Sequence, residues 1–277
     1  LSDAMSRTTA RAVTIGQKSG HIDADGGVVS TYLPSTRADS VNLGTGPAHI
    51  TADALSGSTS SGRVVYSGHS RLWQGESVVE ADQIALWRDE KKLQATGNVV
   101  AVFPQTSGPA LRPVSQSSAK AAGPTLWQVR APSLTYWNDQ NKARLEGGVL
   151  ATSQQGSLES PILDVYLGPA TNPTSSNHPT DPVPVDRAGA PATGQLSRIL
   201  AQGGAVIRQG DRRGTADQAE YTSAEQKFVL SGGQPTLTDG SGNTTAGRSL
   251  TFFVASDTIL IDSQAGSRTL TRHRVEK

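Results

Sequence analysis

One arrangement recurs along the chain: a small residue opens a strand, and a glycine follows 16 positions later. The spans are Ala52 to Gly68, Ala81 to Gly97, Ala131 to Gly147, Ala216 to Gly232, and Ala246 to Asp262, where the glycine has been lost. Ser160 to Gly203 fits the same scheme once a proline-rich insertion is removed. From the glycines to the next opening residue the chain runs 13 positions in three cases and 14 in another, so the period is about 29 residues. A period of this size means that each unit is one supersecondary element, able to bury its apolar face only against its neighbours.

Within each unit the apolar positions alternate, as in a strand with one buried face. Counting back from the glycines by twos gives Val64 and Tyr66, Leu93 and Ala95, Ala143 and Leu145, Ile199 and Ala201, and Phe228 and Leu230. The preceding strands contribute Ile84 and Leu86, Leu134 and Tyr136, Leu163 and Val165, and Ala219 and Tyr221. Intervening residues such as Gln94, Thr96, Arg144 and Glu146 are polar and should meet solvent. Turn chemistry falls at Arg88 to Lys92, Asn138 to Lys142 and Ser223 to Lys227, and a second turn type at Gln74-Gly75-Glu76 and Gln209-Gly210-Asp211. The pairs Gly97-Asn98, Gly147-Gly148, Gly203-Gly204 and Gly232-Gly233 suit a β-bulge with positive φ at the same level of every strand. Curvature repeated in register makes a trough.

Composition agrees with an all-β class: 29 Gly and 15 Pro punctuate a chain that is 35% hydrophobic. Twenty-five basic residues against 24 acidic leave a net charge of +1, which supplies no field for nucleic acid. With no cysteine, disulfides and thiolate chemistry are excluded, in a way compatible with cytosol and periplasm alike. No apolar run reaches the roughly 20 residues of a membrane-spanning helix. The five histidines, His21, His49, His69, His178 and His273, show no metal-ligand spacing, so neither metal nor cofactor is expected.

The chain divides into residues 1–49, a partial or irregular repeat; 50–263, the repetitive body, interrupted by insertions at 104–123 and 168–194; and 264–277, a polar, basic tail. Both insertions are rich in Pro, Ser, Ala and Gly and read as surface loops.

The stretch Ser67-Gly68-His69-Ser70-Arg71-Leu72-Trp73-Gln74-Gly75-Glu76, followed by Val79 to Ile84 and Leu93 to Val99, resembles the OstA-like family of lipopolysaccharide-transport proteins. The resemblance is specific over residues 50–103 and continues more weakly at Ala131 to Val149 and Ala216 to Gly232. It implies an open, twisted jellyroll of stacked antiparallel strand pairs with an apolar groove inside that shields the acyl chains of lipopolysaccharide or a related glycolipid. It further implies a periplasmic location, with or without an inner-membrane anchor, and partners that join by edge-strand addition, including end-to-end copies of the chain. The family includes free periplasmic bridge components, periplasmic parts of anchored components and the soluble domain of the outer-membrane translocon.

On that reading the groove is lined by Val64, Tyr66, Ile84, Leu86, Leu93, Val99, Leu134, Tyr136, Leu145, Val149, Ile199, Phe228 and Leu230. Arg63, Arg71, Lys91, Lys92, Arg212 and Arg213 are the candidates for a headgroup rim at its mouth. In a closed β-solenoid of structural or adhesive type the same apolar residues are simply core. A polysaccharide-acting β-helix is the enzymatic rival. It would need charged residues aligned at one level, and although Asp53, Asp82 and Asp217 recur, Pro132, Pro161 and Gly247 take their place in other units, which favours a turn or edge role. No catalytic residue is assigned. Trp73, Trp87, Trp127 and Trp137 are left undecided among sheet exterior, rim and protein contact.

Overall fold

The computed structural model describes residues 2, 6–16, 18–33, 43–58, 60–105, 125–154, 156–169, 193–253, 258–262 and 270–272. Most of both insertions and most of the basic tail lie outside the described residues, as do His178 and His273.

The described residues form 18 strands of one antiparallel sheet. They are β1 Ser6–Thr9, β2 Ala12–Gly16, β3 His21–Tyr32, β4 Ala48–Ser58, β5 Arg63–Gln74, β6 Ser77–Trp87, β7 Lys92–Gln105, β8 Thr125–Trp137 and β9 Lys142–Ser153. There follow β10 Gly156–Pro169, β11 Thr193–Gln209, β12 Arg212–Thr222, β13 Lys227–Ser231, β14 Thr236–Thr238, β15 Thr244–Ala246, β16 Ser249–Phe253, β17 Thr258–Asp262 and β18 Leu270–Arg272. From β3 to β12 each strand pairs with its sequence neighbours, as hairpins stacked one on the next.

Every long strand is broken in register near its middle. Between Ser67 and Ser70, and between Thr96 and Val99, two residues stand opposite one on the following strand. These are the glycine pairs of the repeat, and they take positive φ even where the second member is not glycine: His69 at 44° and Asn98 at 48°, beside Gly68 and Gly97. Each bulge bends its strand, so that one half lies on one face and the other half on a second. Face 1 carries 54–58, 63–67, 83–87, 92–96, 133–137, 142–146, 162–169, 193–202 and 218–222. Face 2 carries 48–52, 70–74, 77–81, 99–105, 125–131, 149–153, 156–160, 205–209 and 212–216. Beyond β12 the halves are separate strands, β13, β16 and β17 continuing face 1 and β14, β15 and β18 continuing face 2. The all-β, jellyroll-like expectation is met.

The spacing of 16 has a direct cause. It places the residue after the opening alanine beside the bulge of the next strand. Asp53 Oδ2 lies 2.9 Å from His69 Nδ1, and Asn98 donates to Asp82 Oδ2 at 2.9 Å. The recurring aspartates are therefore clips on the bulges, and Pro132 and Pro161 occupy the same place against Gly147 and Gly203. A Cβ on Gly97, whose φ is +77°, would fall inside van der Waals contact of the Asp82 carboxylate. Gly97→Ala is accordingly expected to cost about 1–3 kcal/mol from backbone conformation alone, read as a lower urea midpoint at unchanged slope.

Residues 1–49 also contain this device. In β3 the bulge falls between Asp25 and Val28, at Gly26-Gly27 with φ of 83° and 76°. Thus β3 is a complete strand of the repeat, with β2 on its face 1 half and β1 on its face 2 half.

Candidate functional site: the space between the two faces

Apolar side chains of the two faces meet in one continuous core that runs from Ala24 and Val28 in β3 to Leu250 and Phe252 in β16. Of the thirteen groove candidates, Tyr66, Ile84, Leu93, Val99, Leu134, Tyr136, Leu145, Val149, Ile199, Phe228 and Leu230 are buried in it. Val64 and Leu86, toward the β3 end of that same level, are partly buried and pack against it. Direct cross-strand partners line up on the same level, as in Leu86 opposite Leu93 and Leu93 opposite Tyr136, or Leu134 opposite Leu145 and Leu145 opposite Leu163. Face 2 supplies Ile50, Leu72, Val79, Ala101, Phe103, Trp127, Val129, Ala151, Leu158 and Ile207. Several of these were not singled out from sequence, although counting by twos from Ala131 reaches Val129 and then Trp127.

Among the described residues the two faces are continuous only along the bulges. Their other margins form the mouth, and they are joined there by side chains. Tyr32 Oη and Tyr66 Oη share a 2.6 Å hydrogen bond across it. Gln74 Oε1 accepts from Leu43 N at 2.8 Å and Gly44 N at 3.3 Å, while its Nε2 donates to Gly46 O at 2.8 Å. The backbone of Leu43-Gly44 in turn abuts Gly194 at the start of β11, where a side chain would have no room. Further along, Trp127 Nε1 donates to Gln105 Oε1 at 2.9 Å, and Gln105 Nε2 donates to Tyr221 Oη at 2.7 Å. Burial raises the phenols of Tyr66, Tyr136 and Tyr221 above their usual range, so all three are neutral donors or acceptors.

At its far end the mouth narrows to a pocket of about 10 Å³, room for one water at most, between Trp127, Ser153, Gly156, Ser157, Ile207, Arg208 and Gln209 on one side and Phe228 and Phe252 on the other. Rings of Trp127, Tyr221 and Phe228 meet there at centroid distances of 4.6–6.2 Å.

The rim candidates separate. Arg63, Lys91 and Lys92 flank the turns on the face 1 lip. Lys91 takes a φ of 49°, a turn conformation shared by Asn141 and Gln226. Lys92 is ion-paired with Glu90. Arg212 and Arg213 follow the Gly210-Asp211 turn on the face 2 lip. Arg71 sits away from the mouth, on the outer surface near the bulge, 3.3 Å from Glu80.

The tryptophans divide as well. Trp127 is inside, at 1% exposure, while Trp73, Trp87 and Trp137 are outside. Trp87 stands between Arg63 and Lys92, whose cationic groups lie 5.2 and 4.4 Å from its ring. Trp73 stacks on His49 at 5.2 Å. These are cross-strand pairs of the sheet exterior, each contributing a few tenths to about 1 kcal/mol.

Among the described residues no group of acidic, histidine or cysteine side chains is arranged to hold a metal ion. No helix of the described chain is long and apolar enough to cross a membrane.

No curated protein matches the chain. Among solved structures it aligns with LptH, described as the LptA homologous periplasmic component of the conserved lipopolysaccharide transport device from Pseudomonas aeruginosa, at 11% identity and a TM-score of 0.30, covering 83% of this chain and 96% of that one. The family described as LptA/(LptD N-terminal domain) LPS transport protein matches residues 49–120 and 128–258, well over half of the sequence. The chain belongs to that family.

Proposed function

We propose that this protein is a periplasmic, non-enzymatic carrier of lipopolysaccharide, holding the acyl chains between its two faces while the sugar and phosphate head stays at the mouth. The observation that carries the reading is the continuous apolar interior between faces tied covalently along one side only. An acyl chain in water costs about 0.8 kcal/mol for each CH₂ left exposed, so carriage through an aqueous compartment needs an apolar lining along the whole path. Repetition supplies equivalent lining at each level, which lets a chain slide without a deep trap. In the core between the faces the contacts are carbon on carbon. Acyl chains can replace these contacts at little net cost once the faces part.

On this reading an anionic head would meet Lys91 on one lip and Arg212 on the other, whereas Arg63 and Lys92 lie over Trp87, and Arg213 opposite Arg208, on the outward parity. The terminal strands support the assembly reading. Val13 and Ile15 on β2, inward in parity, are 39% and 50% exposed, and Ile261 on β17 is 38% exposed, since among the described residues no further strand covers them. A partner strand added at either end would continue both the hydrogen bonding and the apolar lining.

The filled β-solenoid is the second reading, favoured by interior residues at 0% exposure such as Leu93, Leu145 and Leu163. Site-specific photocrosslinking decides between them. With the probe at Leu134, which faces inward, and at Thr135, its outward neighbour, loading with lipopolysaccharide is expected to label Leu134 and not Thr135. Absence of lipid adducts at Leu134, and equally at Ile84 and Leu145, would leave the filled solenoid.

A further inference from the structure

We propose that the segment Leu43 to Gly46 is a built-in competitor for lipid. Leu43 holds the place of one acyl chain, and Gln74 and Ser77, beneath the segment, bond the amide or ester that joins such a chain to its head once the segment lifts. The inference rests on the carrier reading and adds to it a site and the regulation of that site.

The segment crosses the mouth. Its backbone is layered between the β5–β6 turn, on the lip of face 2, and the start of β11, on the lip of face 1, and two glycines make the layering possible. A Cβ on Gly44 would stand 2.3 Å from Gln74 O, and a Cβ on Gly194 would stand 2.5 Å from Leu43 O. Leu43 itself is not on the surface. At 1% exposure its side chain belongs to the core between the faces, which it enters from a loop, whereas Leu72 and Val79 come from strands. Burying a leucine side chain is worth about as much as burying three methylenes, so the end of an acyl chain can take its place at little net cost.

The hydrogen bonds of the segment have the layout of a lipid linkage. Gln74 Oε1 accepts from Leu43 N at 2.8 Å and Gly44 N at 3.3 Å, and Gln74 Nε2 donates to Gly46 O at 2.8 Å. An apolar side chain in the core with amide groups at the mouth is the arrangement of an amide-linked acyl chain, and the Gln74 side chain offers a donor and an acceptor to either. Ser77 is the direct cross-strand partner of Gln74, inward in parity and 1% exposed. Its Oγ is buried, and among the described residues it has no hydrogen-bond partner. A buried hydroxyl left unpaired is costly, and the carbonyl of an incoming lipid would satisfy it.

Release has a hinge. The segment joins β4 through Gly46 and Pro47, and Gly46 has a φ of 85° with open space where a side chain would stand. A glycine there absorbs a change of backbone direction without strain. Thr45, Gly46 and Pro47 are exposed, and Leu43 supplies the segment's hold on the core.

The test uses the whole chain, which has no cysteine. A Cβ on Gly75 would stand 3.6 Å from Thr45 Oγ1, close enough for the double variant Thr45→Cys, Gly75→Cys to close a disulfide that ties the segment to the turn. With a photoreactive probe at Val79, two positions along β6 from Ser77, lipopolysaccharide is expected to label the oxidised double variant at about a tenth, or less, of the initial rate seen after reduction. Leu43→Ala, which vacates the place and leaves the turn intact, should raise that rate severalfold in the otherwise unaltered chain. Ser77→Ala should weaken N-dodecanoylglucosamine, an amide-linked probe, about threefold to tenfold in calorimetry. Dodecyl glucoside, its ether-linked counterpart, should bind as before. Equal rates before and after reduction, or a rate in Leu43→Ala no higher than in the unaltered chain, overturn the competitor. If Ser77→Ala acts on both probes alike, the linkage site is overturned. In each case the carrier reading stands if a probe at Leu134 is labelled in the unaltered chain, and falls if probes at Leu134, Ile84 and Leu145 are not.

Discussion

Replacing Trp127 with alanine is expected to lower the unfolding free energy by about 3–5 kcal/mol, the range for deleting a large buried aromatic. Two losses combine. The indole is 1% exposed and touches Tyr221 and Phe228 at ring distances of 5.5 and 6.2 Å, so its removal opens a cavity between the faces. Its N–H is also the donor to Gln105 Oε1, and without it the amide that reaches Tyr221 is left half satisfied in a buried place. Tyr221→Phe breaks the other bond of the same amide. It removes the acceptor of the Gln105 N–H with no cavity and should cost about 1–2 kcal/mol, within the range for one buried donor left unpaired. Trp87→Ala is the outer control, expected to cost no more than about 1 kcal/mol because it removes only exposed cation–π pairs. Equilibrium denaturation in guanidinium reads all three. A Trp127 loss no larger than that of Trp87 would mean that the two faces are not packed on each other through this residue.

The contrast between these two tryptophans marks what the sequence could and could not reveal. Parity along a strand is local and strict, so Leu93, Leu134, Leu145, Ile199 and Leu230 can be assigned to the interior by counting from the repeat glycines, and all five are buried. Trp87 and Trp137 come out as outward by the same count. Trp127 obeys the rule too, four residues before Ala131, but a large insertion precedes it and hides where its strand begins. Gly26-Gly27 is a bulge pair as plain as Gly147-Gly148. It escapes notice because the opening residue and turn that would frame it are obscured by the irregular stretch before Ala48.

Closure of the mouth is of another kind. Tyr32 and Tyr66 are 34 residues apart, and Gln105 and Tyr221 are 116 apart. Which residue of face 2 meets which of face 1 depends on the twist accumulated between strands, a property of the whole sheet that no local pattern encodes. The same holds for Arg71. Its sequence neighbours are those of a rim residue, yet it lies three positions before the lip residue Gln74, and that shift sets it against Glu80 on the outer surface.

Asp164→Asn is expected to destabilise the chain by about 3 kcal/mol at neutral pH, an effect that shrinks as the solution is acidified. Asp164 faces outward from β10 between Leu163 and Val165, yet it is 1% exposed, covered by the two cations it binds. Arg144 donates to both carboxylate oxygens, Nε to Oδ1 at 2.7 Å and Nη2 to Oδ2 at 2.8 Å, and Lys142 Nζ lies 3.0 Å from Oδ2. Breaking a buried pair of this sort costs about 3–5 kcal/mol, and the low end applies because a third of the Arg144 side chain remains in water. Burial pushes the Asp164 carboxyl up, but the bonds from Arg144 and Lys142 outweigh it and hold the group below its ordinary value. The native state therefore favours the ionised form. Its contribution is full above about pH 4, where an unfolded aspartate is already ionised, and is lost as pH falls through the lower native value. His69 titrates with the opposite sign. Its bond to Asp53 raises it, so what it adds is full below its unfolded value near pH 6.5 and fades as pH rises through the native one. The two windows do not overlap. Asp239, held low by Asn243, contributes equally to both proteins and cancels in their difference. The stability difference between the unaltered chain and Asp164→Asn, measured by urea denaturation from pH 7 down to pH 3, should be flat to about pH 4 and then decline. A difference independent of pH down to pH 3 would show that Asp164 acts by shape rather than charge, and the outer surface of face 1 would then be held by packing alone.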